Sequence, residues 1–224
     1  MAGNLAAGPF SAQKIVSAEQ VIQVALREPG ARARAEHIAS NIRAYDERAL
    51  GIAAMAQDTS RSTEERAVAC VKAILQTYYP EDAGKIAEVT FENALVGMAL
   101  SRNGKGGEAK LKLVVGRDAV EQMPTMLAAE VLRVGHELQH VEQYQQGLHG
   151  RKHRHKAEFL AYHWEATAEA PAGTGVVARA KRLSWCEEGL KHYGKLSPEQ
   201  QQSYRHLREE LLEVKRAWEA PASR

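Results

Sequence analysis

Residues 127–141 constrain this chain more than any other stretch, because they impose two faces on one helix. At 100° per residue, Leu127, Val131, Val134, Leu138 and Val141 fall on a single apolar stripe. His136 and His140 fall on the opposite side, beside Ala129, Leu132 and Gln143. A helix patterned this way docks its stripe on a core and turns two imidazoles toward a cleft. Glu137 sits between the histidines, so the run reads H-E-x-x-H. Two neutral imidazoles one turn apart make half of a tetrahedral zinc site, and the glutamate is placed to act on a water there. With nine His in 224 residues the pattern arises by chance in about one to a few chains per hundred. Its weight therefore comes from the amphipathic context.

A catalytic zinc keeps three protein ligands and leaves a fourth position for water. The segment from Lys156 to Ala166 offers the third. It is also helical in pattern, with Leu160, Ala161, Trp164 and Ala168 on one side and Glu158, Tyr162, Glu165 and Glu169 on the other. Glu158 lies 18 residues after His140 and Glu165 lies 25 after it. Both separations suit a helix, loop, helix return that brings a carboxylate to the metal. Glu187 or Glu188, on the helix around Trp185, are the more distant alternatives. The bland reading of all these glutamates is the solvated face of an amphipathic helix.

The run H-E-L-Q-H-V-x-Q from His136 to Gln143, followed by E-F-L-A-Y from Glu158 to Tyr162, resembles the gluzincin class of zinc metallopeptidases. More narrowly it resembles the zincin-like toxin domains of bacterial effectors, some carried by secretion-system spike or Rhs-type proteins of type VI secretion. The resemblance spans residues 124–169, about a fifth of the chain. It implies a Zn²⁺ cofactor held by His136, His140 and Glu158, the last favoured over Glu165 because it opens an E-x-x-A pattern. It implies Glu137 as catalytic base and a protein or peptide substrate. A secretion-machinery carrier or a cognate immunity protein would be the partners, and export into a target cell, or otherwise the bacterial cytoplasm, the location. Tyr162, one turn beyond Glu158, is the first candidate for an oxyanion donor, with Tyr144 and His163 as others. The thermolysin-like N-E-x-x-S-D pattern is missing, and residue 146 is Gln where a metzincin needs its third histidine.

The rest of the chain sets the frame. Hydrophobic content of 44% and charged content of 26% belong to an ordinary globular protein, and a net charge of +2 names no partner. No apolar run reaches the eighteen or so residues of a membrane span, and residues 1–13 lack the basic and apolar regions of a Sec signal. Cys70 and Cys186 fit no metal spacing and read as two buried free thiols.

Residues 1–10 read as a flexible lead. Helices are expected from Ser11 to Gln57, with Ile15, Ala18, Val21, Ile22 and Ala25 on one face, a break at Pro29-Gly30, then Ala35, Ile38, Ile42, Tyr45, Ala49, Ile52 and Ala56. Ser62 to Glu65 forms a capping box for a third helix that Pro80 ends. Strands are expected between Gly84 and Gly116, with a hairpin turn at 102–107. Their edge could take an extended peptide as an extra strand. Helices at about 177–193 and 198–218 close the chain.

The expected class is α+β, mostly helical: a zincin-like core at 61–224 with a small antiparallel sheet before the histidine helix, and a helical extension at 1–60 for carrier or partner docking. Two other functions stay open. One is a binding module stabilised by zinc without catalysis, which a fourth ligand such as Glu165 would favour. The other is nucleic-acid binding by the basic loop at 149–156, which the modest net charge and the lack of a known binding-fold signature disfavour.

Overall fold

In the computed structural model, residues 32–103 and 110–219 are described. The expected lead at 1–10, the helix face from Ile15 to Ala25 and the hairpin turn at 104–107 lie outside the described residues. The elements run α1 (Arg32–Ala44), α2 (Glu47–Gln57), α3 (Thr63–Tyr78), a 3-10 turn (Ala83–Lys85), β1 (Glu88–Phe91), β2 (Met98–Asn103), β3 (Lys110–Val115), α4 (Arg117–Gln145), α5 (Arg154–Thr167), α6 (Arg179–Tyr193), α7 (Pro198–Ser203) and α8 (Arg205–Glu219). The chain is mostly helical with one small sheet, as an α+β class requires.

Local chemistry explains most of the boundaries. Asp46 caps α2 by accepting from the Ala49 N–H at 2.9 Å. Ser62 and Glu65 form the expected reciprocal capping box on α3. The helix expected at 198–218 is two, α7 and α8, divided at Tyr204. Cys70 and Cys186 are both buried and free.

The sheet corrects an expectation. Its order is β1-β3-β2, and it is mixed: β2 pairs antiparallel with β3 (Met98 with Val115, Asn103 with Lys110), whereas β1 pairs parallel with β3 (Glu88 with Lys112, Phe91 with Val115). The hairpin is local, but β1 joins on the far side of β3 because the segment after Phe91 crosses over the end of β3. The Gly116 N–H donates to the Gly97 carbonyl at 2.7 Å and the Glu92 N–H to the Val115 carbonyl at 3.0 Å. A Cβ at Gly116 would lie 2.2 Å from the Leu95 carbonyl oxygen, so only glycine admits the crossing.

α4 runs between two cores. The stripe Leu127, Val131, Val134, Leu138 and Val141 packs with Ile52 of α2, Val71 and Ile74 of α3, and Leu113 and Val115 of β3. Each such side chain contributes about 1.5–3 kcal/mol by leaving water, which fixes the rotation of α4 about its axis. The opposite side is not simply the cleft that the helical periodicity implies. Ala128, Ala129 and Leu132 pack with Phe159 of α5, Trp185 and Cys186 of α6, and Leu211 of α8. The histidines therefore face a crevice floored by a second core.

Pro124 breaks α4, and Met126 is non-helical there (φ −137°, ψ 37°). The freed backbone groups are taken up from the helices before it. The Leu127 N–H donates to Tyr45 Oη at 3.1 Å, and Asn41 Nδ2 donates to the Thr125 carbonyl at 3.2 Å. Asn41 also bonds both backbone groups of Val176. Residues 41–56 thus pack into the same core as α3 and α4.

Candidate metal centre

Three elements build the site. α4 supplies His136, Glu137 and His140, α5 supplies Glu158, Tyr162 and Glu165, and β2 supplies the edge against which Glu137 rests. α4 and α5 approach closely at Gly135, where an added Cβ would lie 2.1 Å from the Trp164 ring. That approach brings a carboxylate to the histidines. Glu158 Oε2 lies 3.8 Å from His136 Nε2 and 3.7 Å from His140 Nε2. Ligand atoms of the three residues all fall within 4.8 Å of one another. Tetrahedral bonds of about 2.0–2.1 Å would separate such atoms by about 3.3 Å, so the Glu158 oxygen stands within about half an ångström of tetrahedral spacing from each imidazole.

The far ring nitrogens each face a polar side chain. His140 Nδ1 lies 2.8 Å from Gln143 Oε1, and Gln143 Nε2 donates to the Ala157 carbonyl at 3.0 Å. The Ala157 contact fixes the amide orientation, so Gln143 Oε1 accepts from Nδ1–H and leaves Nε2 with a free lone pair. His136 Nδ1 lies 3.0 Å from Glu165 Oε2, near enough for charge attraction but outside hydrogen-bonding geometry. Glu165 is only 2% exposed, and its Oε1 has no hydrogen-bond partner among the described residues. A buried carboxylate is retained there by the imidazole it faces.

Burial alone would push the His136 pKa down, but Glu158 and Glu165 outweigh it and raise it to about 10. His140 is raised as well, burial being overcome by Glu158 and Glu137. Glu158 is driven well below the usual carboxylate range, because the two imidazoles overcome its burial. The neighbouring carboxylates thus favour positive charge at these nitrogens, and a dication would compete with protons for the same lone pairs. With neutral imidazoles, a dication here would meet the carboxylate of Glu158 directly. The donor types, their spacing and the tautomer set at Gln143 all fit zinc.

Glu137 is buried, and its Oε2 accepts from the Leu100 N–H at 2.7 Å. Burial raises its pKa, partly offset by the histidines. The Tyr162 ring packs edge-on against His136 with centroids 4.6 Å apart. Burial, then Glu165 and Glu158, push its hydroxyl above its ordinary pKa, so it stays a donor. The other candidates are engaged outside the triad. His163 faces Glu210 of α8 at 2.8 Å, and Tyr144 stacks on His149 at 5.4 Å. Glu187 pairs with Lys215 and Glu188 with Lys191. Glu169 lies beyond the end of α5.

Two cavities of about 230 Å³ each flank the triad. One lies on the His140 and Glu158 side and reaches Leu100 and the basic loop. The other lies on the His136, Glu137 and Tyr162 side and reaches Val96, Met98 and Arg133. Arg133 pairs with the fully buried Glu130 at 3.1 Å.

The sequence reading gave no role to Gln143, the Glu130–Arg133 pair or the Leu100 N–H. The spacing of Gln143 three residues after His140 was the one available signal. Comparison of the chain with family models, with curated proteins and with solved structures finds no match. The functional reading therefore rests on the residues themselves.

Proposed function

We propose that this chain is a zinc-dependent endopeptidase. The observation that supports it is the convergence of a ring nitrogen of His136, a ring nitrogen of His140 and a Glu158 oxygen within 4.8 Å of one another, with Glu137 buried beside them. A bound Zn²⁺ would supply a Lewis acid that brings the pKa of water toward about 7. His136, His140 and Glu158 hold it. The Leu100 N–H fixes one oxygen of Glu137, and Oε1 takes the proton from the attacking water and later passes it to the leaving amine. The raised pKa of Glu137 suits both transfers. Tyr162 donates its hydroxyl hydrogen to the developing oxyanion. An extended peptide lies along the outer edge of β2, between the two cavities.

The closed, structural zinc alternative is weakened by Glu165, which faces Nδ1 of His136 rather than the Nε2 side. The motif resemblance extends the proposal to a bacterial effector or toxin domain, exported by a specialised secretion system and paired with a carrier or an immunity protein. Among the described residues no helix is long and apolar enough to cross a membrane.

The test is metal content by mass spectrometry, followed by digestion of a denatured protein mixture. Wild type should carry one zinc, and His136→Ala and His140→Ala should lose it. Glu137→Ala should keep the zinc and lose hydrolysis by about 10²–10⁴-fold. Equal digestion by Glu137→Ala and wild type would overturn the assignment.

A further inference from the structure

We propose that the cavity on the His140 and Glu158 side of the triad receives an acidic side chain of the peptide substrate, with Arg151 and Arg154 as its counter-charges. This rests on the peptidase reading and names the substrate class for that site. The cavity shares His140 and Glu158 with the triad and touches Leu100 on the β2 edge. At about 3.4 Å per extended residue, a side chain entering it belongs to a position within one or two of the scissile bond.

The charge in this cavity is one-sided. Arg151 and Arg154 line it, and the single acid in its wall, Glu158, is committed to the triad. Neither guanidinium has an ion pair or hydrogen bond among the described residues, and both are exposed. The rings of Tyr144 and His149, stacked 8° from parallel, line the cavity beside them. The other cavity differs: Arg133 and Lys181 there meet Asp118, Glu165 and Glu188, and Arg133 is already paired with Glu130. Acid selection therefore belongs to one side of the scissile bond.

A nucleic-acid strand is the weaker occupant. Phosphates recur along a strand and need cations along its track, whereas the two cavities set Glu158, Asp118, Glu165 and Glu188 among their cations. Exposed charges are screened, so the effect is selection among peptides rather than tight capture. Glu158 repels an acidic guest until a dication neutralises it, which makes the selection depend on metal.

The experiment uses zinc-loaded Glu137→Gln protein and labelled hexapeptides that differ by Glu or Gln at one position scanned along the chain. At one position Glu should bind roughly tenfold tighter at low salt, and the preference should shrink with added NaCl and with removal of zinc. R151E/R154E should abolish it or invert it toward Gln. No Glu preference at any position, or a preference that survives R151E/R154E, overturns the proposal. So does displacement of the acidic peptide by single-stranded DNA at equal concentration. Acid-selective binding without hydrolysis by wild type would support this subsite and refute the peptidase reading.

Discussion

Gly135→Ala and Gly51→Ala make the same chemical change in two helices and should have opposite effects. Alanine in a helix interior is favoured over glycine by about 0.5–1 kcal/mol, because glycine loses more backbone freedom on folding. At Gly51, in the middle of α2 and exposed, an added Cβ meets nothing within 4 Å. That variant should gain about 0.5–1 kcal/mol. At Gly135 the Cβ would lie 2.1 Å from the Trp164 ring and 2.6 Å from Tyr79 Oη. Contact between carbons needs about 3.5 Å, so α5 must move by more than an ångström. Neither neighbour yields easily, since Tyr79 Oη donates to the Val131 carbonyl at 2.9 Å. Overpacking of this kind costs about 1–3 kcal/mol, which outweighs the helix gain. For a chain of this size a net loss of about 1–2 kcal/mol lowers Tm by about 2–8 °C. The movement also carries Glu158 away from the histidines, so zinc affinity should fall with stability. Calorimetry and a competitive zinc titration on both variants measure the two effects. A Gly135→Ala protein as stable as wild type, with unchanged zinc affinity, would refute the close packing of α4 on α5.

Glu165→Gln should retain the fold and weaken zinc binding by about 10–100-fold, read by chelator competition, because His136 loses the carboxylate that orients it. Burial raises the Glu130 pKa from its ordinary 4.5 to about 7, so the folded protein holds that proton more firmly than the unfolded chain. Its contribution is complete below pH 4.5 and lost as pH rises through about 7. The Tm of wild type relative to Glu130→Gln should therefore fall across that window in scans from pH 4 to 8. Asn41→Ala removes bonds to Thr125 and Val176 at the α4 kink, and should cost about 2–4 kcal/mol in urea unfolding.

The elements of this fold were legible where the signal was local. The capping box at Ser62, the stripe from Leu127 to Val141 and the β2–β3 hairpin each depend on residues close in sequence. The parallel pairing of β1 was not legible, because it depends on a crossing at Gly116 that no periodicity records. The second core beneath Ala129 and Leu132 was missed for a related reason: small side chains on a helix look neutral until a partner such as Phe159 covers them.

By itself the sequence determined that His136, Glu137 and His140 share one turn of a helix, and that Glu158, Tyr162 and Glu165 share one face of another. It could not rank the two glutamates by position, because residues seven apart lie on the same face and differ only along the axis. Tertiary structure decided that: where α5 slides along α4 is set by the contact of Gly135 with Trp164 and by the second core. That axial position puts Glu158 at the Nε2 side of both histidines and leaves Glu165 behind His136, at Nδ1.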